Sequence, residues 1–209
     1  MKKALSCLTL LFVSSLSAAL TPGKMGAEFA YGGSVGTLAT SDLGQQYVNM
    51  PGVGFWYHFS QKVAISAKVA GFFTDLDSLY STTSSGTNRR NSKTLGGGLS
   101  LEVPFYIADF DPVLLFLGPG AGFNYAHTTD TITGPNQFTI EKYSYFISAF
   151  AVIGLQFPLH EKLHIFGRTT LGYTGGILKQ GSYYDDYQHT KNAFIGLQSW
   201  GLGIVFYLN

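Results

Sequence analysis

From Met25 onward the chain alternates apolar residues with small or polar ones at period two, the pattern of strands that keep one face in a greasy environment. The first run sets Met25, Ala27, Phe29, Tyr31 and Val35 against Gly26, Glu28, Ala30, Gly32 and Ser34. A second, from about Tyr47 to Phe59, sets Val53, Phe55, Tyr57 and Phe59 against Gly52, Gly54, Trp56 and His58, and a tight turn at Ser60, Gln61 and Lys62 follows. The third opposes Val63, Ile65, Ala67, Val69 and Phe73 to Ala64, Ser66, Lys68, Ala70 and Phe72 before a polar segment, Asp75 to Lys93, interrupts. The fourth carries Leu95, Leu99, Leu101, Val103 and Phe105 on one face and Gly96, Gly98, Ser100 and Glu102 on the other, and ends at a turn around Ala108 to Pro112. Gly97 leaves a gap in its apolar row. A fifth strand spans Val113 to about Ala126, its ladder weakened at Pro119. The sixth spans Tyr143 to Phe157, the seventh Leu163 to Tyr173 with His164, Arg168 and Thr170 on its polar face, and the last about Ala193 to Leu208.

The connections between these eight strands alternate in length. Short ones lie near Gln61, Asp109 and Glu161; long ones cover Gly36 to Gln46, Asp75 to Lys93, Thr128 to Lys142 and Thr174 to Asn192. Strands long enough to cross a bilayer at a tilt, joined in this way, predict an eight-stranded antiparallel up-and-down transmembrane β-barrel with short periplasmic turns and four long extracellular loops. A soluble barrel would line a cavity with its apolar face and meet water with the other. Here the second face is mostly Gly, Ser, Ala and Thr, which suits a narrow filled lumen and makes a poor solvent coat. Aromatics on the apolar face also gather at two levels, Phe59, Phe105, Phe157 and Phe206 at one and Phe73, Tyr125, Tyr145 and Tyr173 at the other, as interfacial girdles do.

Composition and the first residues add a compartment. Lys2 and Lys3, an apolar run from Ala4 to Leu16 and the small residues Ser17, Ala18 and Ala19 read as a signal peptide over 1–19, cleaved after Ala19, with a barrel domain over 20–209 destined for the outer membrane. Cys7 is the only cysteine, so the mature chain carries no thiol chemistry. Without Lys2 and Lys3 the 13 basic residues become 11 against 12 acidic ones, a balance that argues against nucleic acid as a partner. Charged residues make up 12% of the chain and aromatics 15%, too few charges to coat a soluble domain, which ordinarily carries about 25%.

With these features the chain resembles the OmpA-like and opacity-type eight-stranded outer-membrane barrels. The resemblance is carried across the mature chain by architecture and most specifically by the closing strand, where Trp200, Leu202, Ile204, Phe206 and Leu208 keep the family's alternating assembly signal. Leu208 stands where the family has a terminal aromatic, and Asn209 follows it. The run Leu117 to Phe123 is similar to the group's glycine-rich fifth strand. The resemblance implies outer-membrane lipid and lipopolysaccharide, the outer-membrane assembly machinery, and host or cell-surface ligands as partners, and no cofactor.

Candidate chemistry is sparse. Glu28, Lys68, Glu102 and Arg168 fall on the lumen face, with His58 and His164 lower down. Such charges either mark a gate or proton-linked path, or form an ion-paired plug in a lumen too narrow for water; the second is the expectation, with Lys68 paired to Glu102 on neighbouring strands. The segment His189-Thr190-Lys191-Asn192 is similar to the His-x-Ser-Asn of lipid A deacylases, but Lys191 occupies the nucleophile position and no Glu follows, so no catalytic residue is assigned. Arg89, Arg90 and Lys93 are candidate loop contacts to lipopolysaccharide phosphates, and Tyr183, Tyr184 and Tyr187 a candidate adhesive patch. Asp185 and Asp186 alone do not make a metal site. The expected function is a non-enzymatic structural or adhesin-like role through the extracellular loops. The alternatives are a narrow OmpW-like channel for small solutes and, third, a lipid A-modifying enzyme.

Overall fold

A computed structural model describes residues 21–32, 36–40, 44–48, 51–83, 86–110, 112–134, 137–182 and 188–208. The signal peptide expected over 1–19, Val35, the patch Tyr183, Tyr184 and Tyr187, and Asn209 lie outside the described residues. Eleven strands occur among the described ones: β1 (Met25–Tyr31), β2 (Gly36–Thr40), β3 (Gly44–Val48), β4 (Pro51–His58), β5 (Ala64–Thr83), β6 (Gly86–Glu102), β7 (Phe105–Asp109), β8 (Leu114–Thr133), β9 (Phe138–His160), β10 (Leu163–Ser182) and β11 (Gln188–Tyr207).

Nine of them form one antiparallel sheet in the order β6-β5-β4-β1-β11-β10-β9-β8-β7, and a β6–β8 pairing closes it. The closed wall has eight strand positions, because β6 and β7 share one. The ladder breaks at Val103 and Pro104, where Pro104 has no N–H to give, and resumes as the N–H of Ala64 donates to Pro104 O and that of Tyr106 to Lys62 O. On the far side β8 pairs with both pieces. The first and last strands close the barrel with Gly26 opposite Tyr207 and Tyr31 opposite Leu202.

Parity along each strand decides what faces in. Phe29, Val53, Val69, Leu99, Ile147, Leu171 and Leu202 are exposed on the outside, while Trp56, Phe116, Val152, Phe166, Val205 and Tyr207 are buried within. The outer belt from Tyr145 to Phe157 on β9 covers on the order of 30 Å at a rise of about 3.3 Å per residue and a tilt of roughly 40°. Inward glycines make room for the rings: a Cβ at Gly154 would collide with the Phe116 ring, and one at Gly120 with Phe150. The second of these belongs to the glycine-rich run of the fifth wall position, the first to the sixth.

Three expectations change. Most of the long connections are not loops: Asp75 pairs with Lys93, Thr128 with Lys142 and Thr174 with Phe194, so the hairpins rise well beyond the apolar belt. Backbone pairing is indifferent to side-chain polarity, and Thr-rich segments suit strands. Within 36–48 a separate hairpin, β2–β3, stands where a loop is expected, with Tyr47 in β3 and not in the barrel wall. Finally, β11 carries a bulge: Thr170 pairs with Ser199 but Leu171 with Leu197. One extra residue there turns the outward parity from odd at Ile195 and Leu197 to even at Trp200 and Leu202.

Candidate functional site

The lumen is filled from the turn end upward. At the bottom His58, Tyr106, Gln156, His164 and Tyr207 form a buried polar layer. Tyr106 donates its hydroxyl to Gln156 Oε1 at 2.5 Å, the Gln156 amide donates to Tyr207 Oη at 3.2 Å, and the same amide nitrogen lies 2.6 Å from His164 Nδ1. His58 Nε2 lies 2.8 Å from Tyr207 Oη. Above it Trp56 meets Phe116 edge-on, centroids 6.0 Å apart, and Phe166 at a tilt, 6.2 Å apart. Aromatic rings in these geometries attract one another beyond their area burial and leave little passage.

The charged layer comes next, and it contains the four residues singled out from the sequence. Lys68 Nζ donates to Glu102 Oε1 at 2.8 Å. Arg168 spans the barrel, donating to Glu102 Oε2 at 3.0 Å and to Glu28 Oε1 at 2.6 Å. The remaining Glu28 oxygen accepts from Ser66 at 2.9 Å and from the Trp56 indole N–H. Two acids and two bases thus neutralise each other, and every carboxylate oxygen is satisfied. Charges so far from water tolerate burial only when paired and hydrogen-bonded in this way. Sequence reasoning missed Trp56 and Ser66 as partners; the signal available was parity, which puts both on Glu28's side of the wall.

Beyond the outer apolar belt a second cluster sits inside the mouth. Asp130 Oδ2 accepts from Arg90 at 2.5 Å and from Lys142 at 3.0 Å, and Thr94 and Thr128 hydroxyls lie 2.9 Å apart beneath. Burial alone would raise the Asp130 carboxyl, but hydrogen bonds from Arg90, Ser92 and Lys142 together with the Lys142 charge outweigh it and hold it below its ordinary value. Arg90 is therefore not a free loop cation as expected; it lies in β6, faces inward and is committed to Asp130. Arg89 is exposed on β6, and Lys93 pairs loosely with Asp75 at 3.6 Å on the outside. On the closing strand Trp200, Leu202, Ile204, Phe206 and Leu208 all point outward, and the Leu208 N–H donates to Met25 O at 2.8 Å.

No protein-family model matches the chain, and no curated protein sequence does. Solved structures similar to it include a major outer membrane protein from Thermus thermophilus (11% identity, 88% of this chain and 99% of that one, TM-score 0.49). Others are the N-terminal β-barrel domain of Pseudomonas aeruginosa OprF (14%, 90% and 98%, 0.39) and Ail, the attachment invasion locus protein of Yersinia pestis (13%, 90% and 100%, 0.41). The likeness is one of fold.

Proposed function

We propose that this chain is a non-enzymatic outer-membrane barrel whose lumen is plugged and whose work is done by its outer surface and long hairpins, as a structural or surface-interaction protein. The observation that carries the reading is the contrast between the two faces of one wall: bulky apolar side chains ring the outside while the inside holds paired charges and packed rings. A soluble barrel inverts that arrangement. The belt matches the height of a bilayer's hydrocarbon, and β1, paired with both β11 and β4, closes the wall through its lower half. The filled layers favour a static plug over the narrow channel.

Refolding into phosphatidylcholine vesicles tests the membrane reading. The expected result is a vesicle-bound chain that migrates differently on a gel before and after heating; a folded chain left in the soluble fraction would overturn it. The surface role is tested by comparing cell adhesion and detergent sensitivity of a deletion strain with its parent, where equal behaviour in both assays would remove it.

A further inference from the structure

Above the apolar belt the outside of the barrel is not electrically uniform. On the β5–β6 side acids and bases interleave: Lys93 pairs with Asp75, the Asn91 amide donates to Asp75 at 3.0 Å and to Asp77 at 2.7 Å, and Arg89 is exposed nearby. On the β9–β11 side Lys179 and Lys191 outnumber Glu141, the acid on that face among the described residues. Tyr143 lies opposite Lys179, Lys179 opposite His189, and Ile177 opposite Lys191, so these residues share the outer face at adjacent levels. Among the described residues neither Lys179 nor Lys191 has an ion-pair partner. The two ammonium-bearing chains stand one diagonal step apart, where like charges repel unless an anion lies between them.

Rings complete the patch. Tyr143, Tyr145, Lys179 and His189 line a recess of about 310 Å³, with Lys179 Nζ 5.9 Å from the Tyr145 ring centroid. His127 stacks on Tyr143 at 4.4 Å and 5°, which fixes the ring's plane, and the Tyr143 hydroxyl donates to Glu141 at 2.8 Å. Tyr145 and Ile177, on the same rung as Lys191, and Ile195 below them begin the apolar belt. A ligand seated here meets cations and ring faces at the top and hydrocarbon beneath.

We infer that this face binds the phosphate-bearing headgroup of a glycolipid of the lipid A class, the phosphate between Lys179 and Lys191 with His189 as an additional donor, the sugar against Tyr143 and Tyr145, and the acyl chains along Ile177 and Ile195. The inference rests on the membrane reading, which places the belt's rim at headgroup level. Two ammonium groups suit a phosphate dianion, and a flat aromatic face suits the C–H face of a pyranose ring better than it suits a glycerol headgroup.

The test is native mass spectrometry of the full mature chain in neutral detergent, titrated with bis-phosphorylated lipid A, dephosphorylated lipid A, phosphatidylglycerol and inorganic phosphate. Expected are retention of the phosphorylated lipid that weakens with salt, loss of about tenfold in retention for Lys179→Gln with Lys191→Gln, and little change for Lys93→Gln on the opposite side. Equal retention of dephosphorylated lipid A or phosphatidylglycerol, displacement by inorganic phosphate alone, salt-indifferent retention by the wild type, or an equal loss in Lys93→Gln would each overturn it. Vesicle insertion is scored separately, so a chain that inserts but shows no headgroup preference sinks this inference and leaves the membrane reading standing.

Discussion

Lys68 and Glu102 form an ion pair at 2.8 Å although neither is the other's partner across the ladder: Lys68 lies opposite Ser100, and Glu102 opposite Ser66. The pair is a diagonal one, and the strand tilt brings the two heads together inside the lumen. Arg168, from the far wall, then ties Glu102 to Glu28, so that removing any one charge leaves the layer with an unbalanced charge away from water.

Lys68→Met should therefore destabilise the folded barrel in urea by about 3 kcal/mol or more, because a buried charge left without its partner carries that penalty. Lys68→Met combined with Glu102→Gln should recover much of the loss. A double variant no more stable than the single one would refute the pairing as a source of stability.

Trp56 serves both the ring layer and the charged layer, and substitution separates the two. Trp56→Phe keeps most of the packing against Phe116 and Phe166 but removes the donor to Glu28, a bond to a charged acceptor worth about 1.5 to 3 kcal/mol. Urea unfolding followed by gel mobility should show a loss in that range, larger than for Ser66→Ala. An unchanged midpoint for Trp56→Phe would mean the indole N–H contributes nothing.

At the mouth, pH should act through Asp130. Its carboxyl is held below the ordinary value when folded, so the cluster's contribution is complete above the unfolded-state pKa and is lost as pH falls through the lower folded one. Amide protection at the upper ends of β8 and β9, corrected for the intrinsic pH dependence of exchange, should fall as acid is added to the wild type. In Asp130→Asn it should be low at every pH, and matching profiles for the two proteins would contradict the assignment.

Leu208 tests the closing strand. It is exposed on the outside beside Met25, and a charge there costs up to about 1 kcal/mol near a bilayer interface. Leu208→Asp should lower the yield of folded protein in membranes, and deleting Asn209 should not. Equal yields from all three chains would dismiss the residue as an assembly signal.

Much of this was legible from parity. Glu28, Lys68, Glu102 and Arg168 could be placed in one layer because side chains alternate at period two and the turns at Gln61 and Asp109 set a common origin for depth. The Trp56–Glu28 bond was not legible, since parity gives a side of the wall and not a rotamer. Arg90 reads as a loop cation only where a polar segment ends a strand, whereas a ladder continues wherever two backbones can pair. The bulge in β11 shows in the sequence as a change of parity: Ile195 and Leu197 occupy odd positions and Trp200, Leu202 and Ile204 even ones, and only an extra residue between them keeps all five outside.

A lumen plugged from within should pass no ions, which single-barrel conductance across a planar bilayer measures. The wild type should show no steady current at neutral pH, whereas Trp56→Ala with Arg168→Ala, which removes the ring and the cross-barrel tie together, should open measurable events. A large, steady conductance from the wild type, unchanged in that variant, would contradict the plug and establish the channel in its place.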